Sequence, residues 1–132
     1  MNNPPRRSRG FSLIELVIAM AITAILAVVA LPSYRQYMIR SHRSAAQAQM
    51  MDIANREQQY FLATRTYAAA ATLTASGYAL PSEVAAFYSF TITLQAGPPP
   101  GYIITFTPSG TQASDGALTL NSAGVKSPAD KW

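Results

Sequence analysis

From Phe11 to Leu31 the chain runs for 21 residues in which only Ser12, Glu15 and Thr23 are polar. A helix rises about 1.5 Å per residue, so this run spans roughly 30 Å, the thickness of a bilayer's hydrocarbon core. Pro32 closes it. A proline lacks the backbone donor and strains the turn before it, which predicts a kink or a locally loosened helix there. Helix then resumes. From Tyr34 to about Leu62 there is neither Pro nor Gly, and Ala, Gln, Met and Arg dominate. Gln36, Arg40, Ser44, Gln47, Asn55 and Gln58 fall on one side at spacings of three and four, while Tyr34, Met38, Ala45, Ala46, Met50, Ile53, Tyr60 and Phe61 cover a broad opposite arc. Met51 interrupts the polar stripe and Arg43 the apolar arc. The pattern predicts one helix of about 50 residues, its first half membrane-embedded and its second half packed under a globular head.

The period then changes. Residues 63–86 form a connecting region with the low-complexity run Ala68–Ala71, a short helix near Ala68–Thr74, and Gly77 and Pro81 as punctuation. Tyr88, Phe90, Ile92 and Leu94 alternate with Ser89, Thr91, Thr93 and Gln95, a strand pattern of period two. Gly97-Pro98-Pro99-Pro100-Gly101 reads as a rigid hairpin connection. Tyr102, Ile104 and Phe106 give a second strand, Leu118 and Leu120 a third, and Val125-Lys126 a short fourth piece, with turns at Pro108-Ser109-Gly110 and Asn121-Ser122-Ala123-Gly124. Consecutive antiparallel strands after one long helix predict an α+β fold, the helix laid across one face of a sheet of 3–4 strands. Residues 63–132 alone are too few for a sizeable core, so the helix face supplies the missing half.

Two features of the apolar run set it apart from a plain anchor. It carries Glu15, and an ionised carboxylate in a transmembrane segment costs on the order of 2.5–3.5 kcal/mol, so Glu15 is either paired or functional. It is also preceded by a basic stretch with Arg6, Arg7 and Arg9 that ends in Gly10, yet no small-residue cut site follows Leu31 as it would in a secretory signal peptide. The apolar segment is therefore expected to be kept.

Arg9-Gly10-Phe11-Ser12-Leu13-Ile14-Glu15-Leu16 resembles the prepilin cleavage motif of type IV pilins and type II secretion pseudopilins. The resemblance implies that a membrane prepilin peptidase cuts between Gly10 and Phe11 on the cytoplasmic side and N-methylates the new terminal Phe11. Gly10 matches the residue before the cut, where a side chain is not tolerated, and Glu15 the family's glutamate, fifth after it. Pro32 falls where many pilins break their helix near the membrane exit. The implied organisation is a leader peptide over 1–10, a transmembrane or filament-core helix half over 11–33, and an extracytoplasmic head of the pilin fold over 34–132. Phe11, Glu15 and Pro32 are the implied assembly residues. In a filament the carboxylate of Glu15 would be buried and in need of a partner, and the resemblance implies that this is the amino terminus at Phe11 of a neighbouring subunit. A bland alternative is that Glu15 lies near enough to the membrane surface to reach water. The two are compatible, wet before assembly and paired after it. The stretch from Asp115 to Lys126, with Trp132 at the end, further resembles the end of PilE-type minor pilins. Trp132 would then plug the core beneath the C-terminal loop.

Composition changes the picture at two points. The formal charge of +4 belongs to the precursor, because residues 1–10 hold three of the ten basic residues and no acidic one. After a cut there, seven basic residues face six acidic ones, poor grounds for nucleic-acid binding. Arg35, Arg40 and Arg43 follow the apolar run and nearly balance the arginines before it, so orientation in the membrane comes from the resemblance and not from the positive-inside rule. Those three read as a solvated helix face or a contact for headgroups. The chain also has no cysteine. Many pilins close a C-terminal loop with a disulfide, and this head must hold its end by packing or polar contacts.

No catalytic constellation, phosphate-cradling loop or cofactor motif is evident. The single histidine, His42, sits among arginines on the helix. Asp52 and Glu57 read as helix-surface carboxylates, five apart and so not neighbours on one face. Asp115 and Asp130, in turns, are weak grounds for the calcium site that some pseudopilins carry. No metal or cofactor is expected. The expected role is a structural subunit of a type IV pilus, a minor pilin serving assembly and twitching, adhesion or DNA uptake. Its expected partners are other pilin subunits, the prepilin peptidase, the inner membrane and the pilus assembly platform. Its expected location is the bacterial inner membrane and then the cell surface. The alternatives are a type II secretion pseudopilin working in the periplasm, a major pilin, and a membrane-tethered binding module that never polymerises.

Overall fold

The computed structural model describes residues 10–132. The chain divides into two compact units, one up to Tyr37 and one over Met38–Trp132. A single 52-residue helix, α1 (Leu13–Thr64), runs through both. In the first unit every described side chain is exposed, and α1 is long and apolar enough to cross a membrane. Pro32 lies inside α1, and the helix continues on both sides of it. The helix thus resumes directly after Pro32, although a proline forfeits one hydrogen bond of the preceding turn.

In the second unit α1 ends at Thr64, where the Arg65 amide donates to the Phe61 carbonyl at 2.8 Å and Arg65 takes the left-handed conformation at φ 61°, a stop that satisfies an orphan carbonyl of the last turn. Two short helices follow, α2 (Ala70–Ala75) and α3 (Ser82–Ala85). α2 overlaps the short helix expected near Ala68–Thr74, whereas α3 has no periodic signal in its four residues. The sheet is a sequential antiparallel meander of β1 (Tyr88–Gln95), β2 (Gly101–Pro108), β3 (Leu118–Asn121) and β4 (Lys126–Ser127). β1 and β2 pair from Tyr88 opposite Pro108 to Gln95 opposite Gly101, so the proline run joins them as a hairpin. Between β2 and β3 the expected plain turn is a 3-10 helix, Gly110–Asp115, and another, Ala129–Lys131, precedes Trp132.

One face of this sheet makes the core. Tyr102, Ile104 and Phe106 of β2 and Leu118 and Leu120 of β3 are buried with Ala46, Met50 and Ile53 of α1, and with Leu73 of α2 and Val84 of α3. The α1 positions are spaced by four and three, one stripe of a 3.6-residue period. Tyr88, Phe90 and Ile92 face inward from β1, alternating with exposed Ser89, Thr91 and Thr93, as the sequence pattern predicts. Of the broad arc expected on α1, Tyr34 is exposed and Tyr60 and Phe61 are half-buried, so the stripe that packs is narrower than the apolar arc.

Replacing the fully buried Ile53 by alanine is expected to lower head stability by about 2–5 kcal/mol. Met51→Ala, on the exposed face, is expected to stay within about 0.5 kcal/mol of the parent. Urea unfolding of the full chain in detergent reads both. Equal midpoints for the two variants would contradict this helix–sheet core.

Candidate functional site

The residues of the cleavage motif sit at the start of α1. Gly10, Phe11 and Ser12 precede it in extended or irregular backbone, and the first bond runs from the Leu16 amide to the Ser12 carbonyl at 3.2 Å. Arg6, Arg7 and Arg9 of the basic flank lie outside the described residues. Gly10 is exposed, and a Cβ built on it meets nothing within 4 Å among the described residues. Phe11 is 81 % exposed. Glu15 stands in the first turn of α1, where a carboxylate complements the helix dipole, and it has no ion-pair partner among the described residues. The structure thus brings Gly10, Phe11 and Glu15 together at one helix end. Pro32, 17 residues beyond Glu15, lies roughly 25 Å further along the axis. Between them Leu16, Val17, Ile18, Ile22, Ile25, Leu26, Val28 and Val29 are all exposed, an apolar surface that no described residue covers.

The second site lies in the head, and sequence reasoning missed it. Asp115, at the end of the 3-10 helix, is buried and forms an ion pair with Arg43 of α1 through both carboxylate oxygens. The Tyr88 hydroxyl donates to Asp115 Oδ2 at 3.2 Å. Gln112, also buried, donates from Nε2 to the Tyr88 hydroxyl at 2.9 Å, to the Ile39 carbonyl at 3.0 Å and to Asp115 Oδ2 at 3.3 Å. Its Oε1 lies 3.3 Å from His42 Nδ1, and the His42 ring stacks on Phe87 with centroids 3.8 Å apart. Burial pushes the Asp115 carboxyl up, but the hydrogen bonds and charge of Arg43, aided by Tyr88 and Lys131, outweigh it and hold the group below the usual carboxylate range. Burial likewise pushes the Tyr88 phenol up to about 12.

This network also fastens the chain's end. Lys131 Nζ donates to the Asp115 carbonyl, passing Gly116, where a Cβ would stand 3.3 Å from that nitrogen. Gln47 Nε2 of α1 donates to the Lys131 carbonyl at 2.6 Å. Trp132 packs half-buried against the core's edge, with Lys126 Nζ 4.7 Å over its ring. Here is the hold on the C-terminus that the cysteine-free sequence required. Two expectations are corrected. Arg43 is not part of a solvated face, since Asp115 draws it inward. Glu57 is not at the helix surface but fully buried. For Glu57 a signal existed, since it extends the stripe Ala46, Met50, Ile53 by four residues. Arg43 interrupts the apolar arc, which is a signal of its own, but nothing local names Asp115 as its partner 72 residues away.

Asp115→Asn is expected to destabilise the head by on the order of 3 kcal/mol, because it leaves the Arg43 charge without its counter-charge. A carboxyl whose folded value is lowered contributes stability above its unfolded value and loses it as pH falls through the folded one. Parent protein should therefore lose stability from about pH 4 downward, and Asp115→Asn should lose most of that acid sensitivity. Thermal melts across acid pH read both.

Comparison with known proteins matches these features. Residues 5–31 match the prokaryotic N-terminal methylation motif. Residues 32–120 match the family described as type IV minor pilin ComP, DNA uptake sequence receptor. The chain is 38 % identical over 55 residues to the type IV major pilin protein PilA of Myxococcus xanthus, covering 42 % of this chain and 25 % of that one. It is 55 % identical over 38 residues both to the fimbrial protein EcpC of Eikenella corrodens and to the type IV major pilin protein PilE1 of Neisseria gonorrhoeae, covering 29 % of this chain and 25 % and 23 % of those. The matched part is thus about a quarter of each of these relatives. No solved structure matches. With the motif over the start of α1 and the family match over most of the head, this chain belongs to the type IV pilins, in the family of type IV minor pilin ComP, DNA uptake sequence receptor.

Proposed function

We propose that this chain is a minor structural subunit of a type IV pilus. It is made as a precursor with a leader over 1–10, parked in the inner membrane by the helix half over 11–33, and cut by the prepilin peptidase between Gly10 and Phe11, which is then N-methylated. Through the assembly platform it joins other pilin subunits in a fibre at the cell surface. The observation that carries this reading is the wholly exposed apolar first half of α1 with a lone carboxylate in its first turn. Such a surface needs lipid or other helices around it. In the membrane Glu15 stands near the headgroups, and in a fibre the new amino terminus at Phe11 of a neighbour neutralises it. A Cβ at Gly10 meets nothing among the described residues, which supports a need for glycine that comes from the peptidase.

A second reading, reception of DNA by the assembled pilus, is favoured by the description of the matched family. The head offers modest charge for it. Arg35, Arg40, Arg43, Arg56, Arg65, Lys126 and Lys131 stand against Asp52, Glu57, Glu83, Asp115 and Asp130. Arg43 is taken by Asp115, and Arg56 pairs with Asp52 at 2.9 Å. Among the described residues Arg35, Arg40, Arg65 and Lys126 are left as the exposed cations that would meet phosphates.

Glu15→Ala is expected to leave leader removal intact while surface fibres become scarce, counted by shearing and electron microscopy; normal piliation in that variant would refute the pairing. Gly10→Ala is expected to accumulate uncut precursor on an immunoblot. Fluorescence anisotropy with labelled duplex DNA tests the second reading. Binding that weakens steeply with salt, and weakens again in Arg65→Ala, would support it. No binding at low salt would leave the structural role alone.

A further inference from the structure

Glu57 is used by neither site described above. Its residue is 0 % exposed. Its Oε2 accepts a hydrogen bond from the Ala68 amide at 2.8 Å, and its Oε1 is buried without a partner. The Ala68 amide belongs to the segment that leaves α1 at Arg65 and leads into α2. Ala68 is itself buried in the core, and Tyr67 beside it stacks on Phe61 at 4.8 Å and meets Tyr102 edge-on at 4.8 Å. No cation faces the Glu57 carboxyl among the described residues. On α1, Arg56 pairs with Asp52 and lies 5.0 Å over the Tyr78 ring. From β2 the facing titratable group is Tyr102, which feels the Glu57 charge, and from the loop it is Tyr67. Both are phenols and neither supplies a positive charge.

A buried ionised carboxylate with one hydrogen bond and no counter-charge is strongly disfavoured, whereas the neutral acid is tolerated. With Oε2 occupied by the Ala68 amide, the proton belongs on Oε1. We propose that Glu57 is a proton-dependent latch: neutral, it pins the 65–75 segment to α1, and on losing its proton it releases that segment so that water reaches the carboxylate. The surface carrying Arg65 and α2 is then set by ambient pH. Burial raises the Glu57 carboxyl above the ordinary value, and the Ala68 hydrogen bond only partly offsets this. A raised folded value gives stability that is whole below the unfolded value and drains as pH rises through the folded one. This is the reverse of Asp115, so the two titrations separate on the pH axis. The latch concerns the head alone and stands whether or not the subunit polymerises.

The test is amide hydrogen exchange on the full chain in detergent from about pH 4 upward to about pH 9, beginning in the ordinary carboxylate range. Rates are corrected for intrinsic exchange. Protection at Ala68 and through α2 is expected to fall by up to about tenfold per pH unit between the unfolded value and the raised folded one, and to level off above it, while Ile104 and Phe106 in β2 keep theirs. In Glu57→Gln the side-chain carbonyl still accepts the Ala68 amide and no proton can be lost, so protection there should be flat with pH. Flat protection in the parent would overturn the latch, and this needs no variant. A parallel fall in Glu57→Gln would overturn it as well.

Discussion

The head depends on burying one face of a small sheet against one stripe of a helix. The strands by themselves are too few to enclose a core, and Ile104, Phe106, Leu118 and Leu120 would lie open to water without Ala46, Met50 and Ile53 over them. This apolar contact also fixes where every polar feature of the head sits. It sets the α1 stripe inward, which carries Glu57 into the core and brings Arg43 within reach of the 3-10 helix after β2. Once that contact forms, the polar groups caught near it must find partners or remain neutral.

Two buried carboxylates meet this demand in opposite ways. Asp115 keeps its charge, because Arg43, Tyr88 and Gln112 surround it with donors. The resulting clasp gathers β1, the 3-10 helix, Lys131 and α1 at one place, and does non-covalently what many pilins do with a disulfide. A disulfide resists both pH and salt, whereas an ion pair answers to protonation. Glu57 has one amide and no counter-charge, so neutrality is its only inexpensive state. The head thus carries one polar tie that weakens in acid and one that weakens as pH rises.

The first half of α1 obeys a different rule. Its residues have no inside to face, and its uniform apolar exposure makes sense only where the surroundings are apolar too. There the backbone must satisfy itself, which a helix continuous through Pro32 does apart from the one bond the proline forfeits. Glu15 is the exception in composition and sits where the exception is cheapest, in the first turn beside the helix's positive end.

The apolar run, the motif at Gly10 and Phe11, Glu15, the alternation in β1 and β2 and the meander order are all written locally. Each depends on spacings within one element or one connection, so the α+β fold and the processing motif were legible before any coordinates. What tertiary structure decided is which side chains of α1 meet which turns of the head. The apolar arc from Tyr34 to Phe61 was broader than the stripe that packs, and a few tens of degrees of helix rotation separate a buried Glu57 from an exposed one. Arg43 and Asp115 pair across 72 residues of chain, a distance over which no local period carries information. The physical reason is common to both. Hydrophobic patterning states that a face is buried, but burial of a charge is settled only by the partners that folding brings to it.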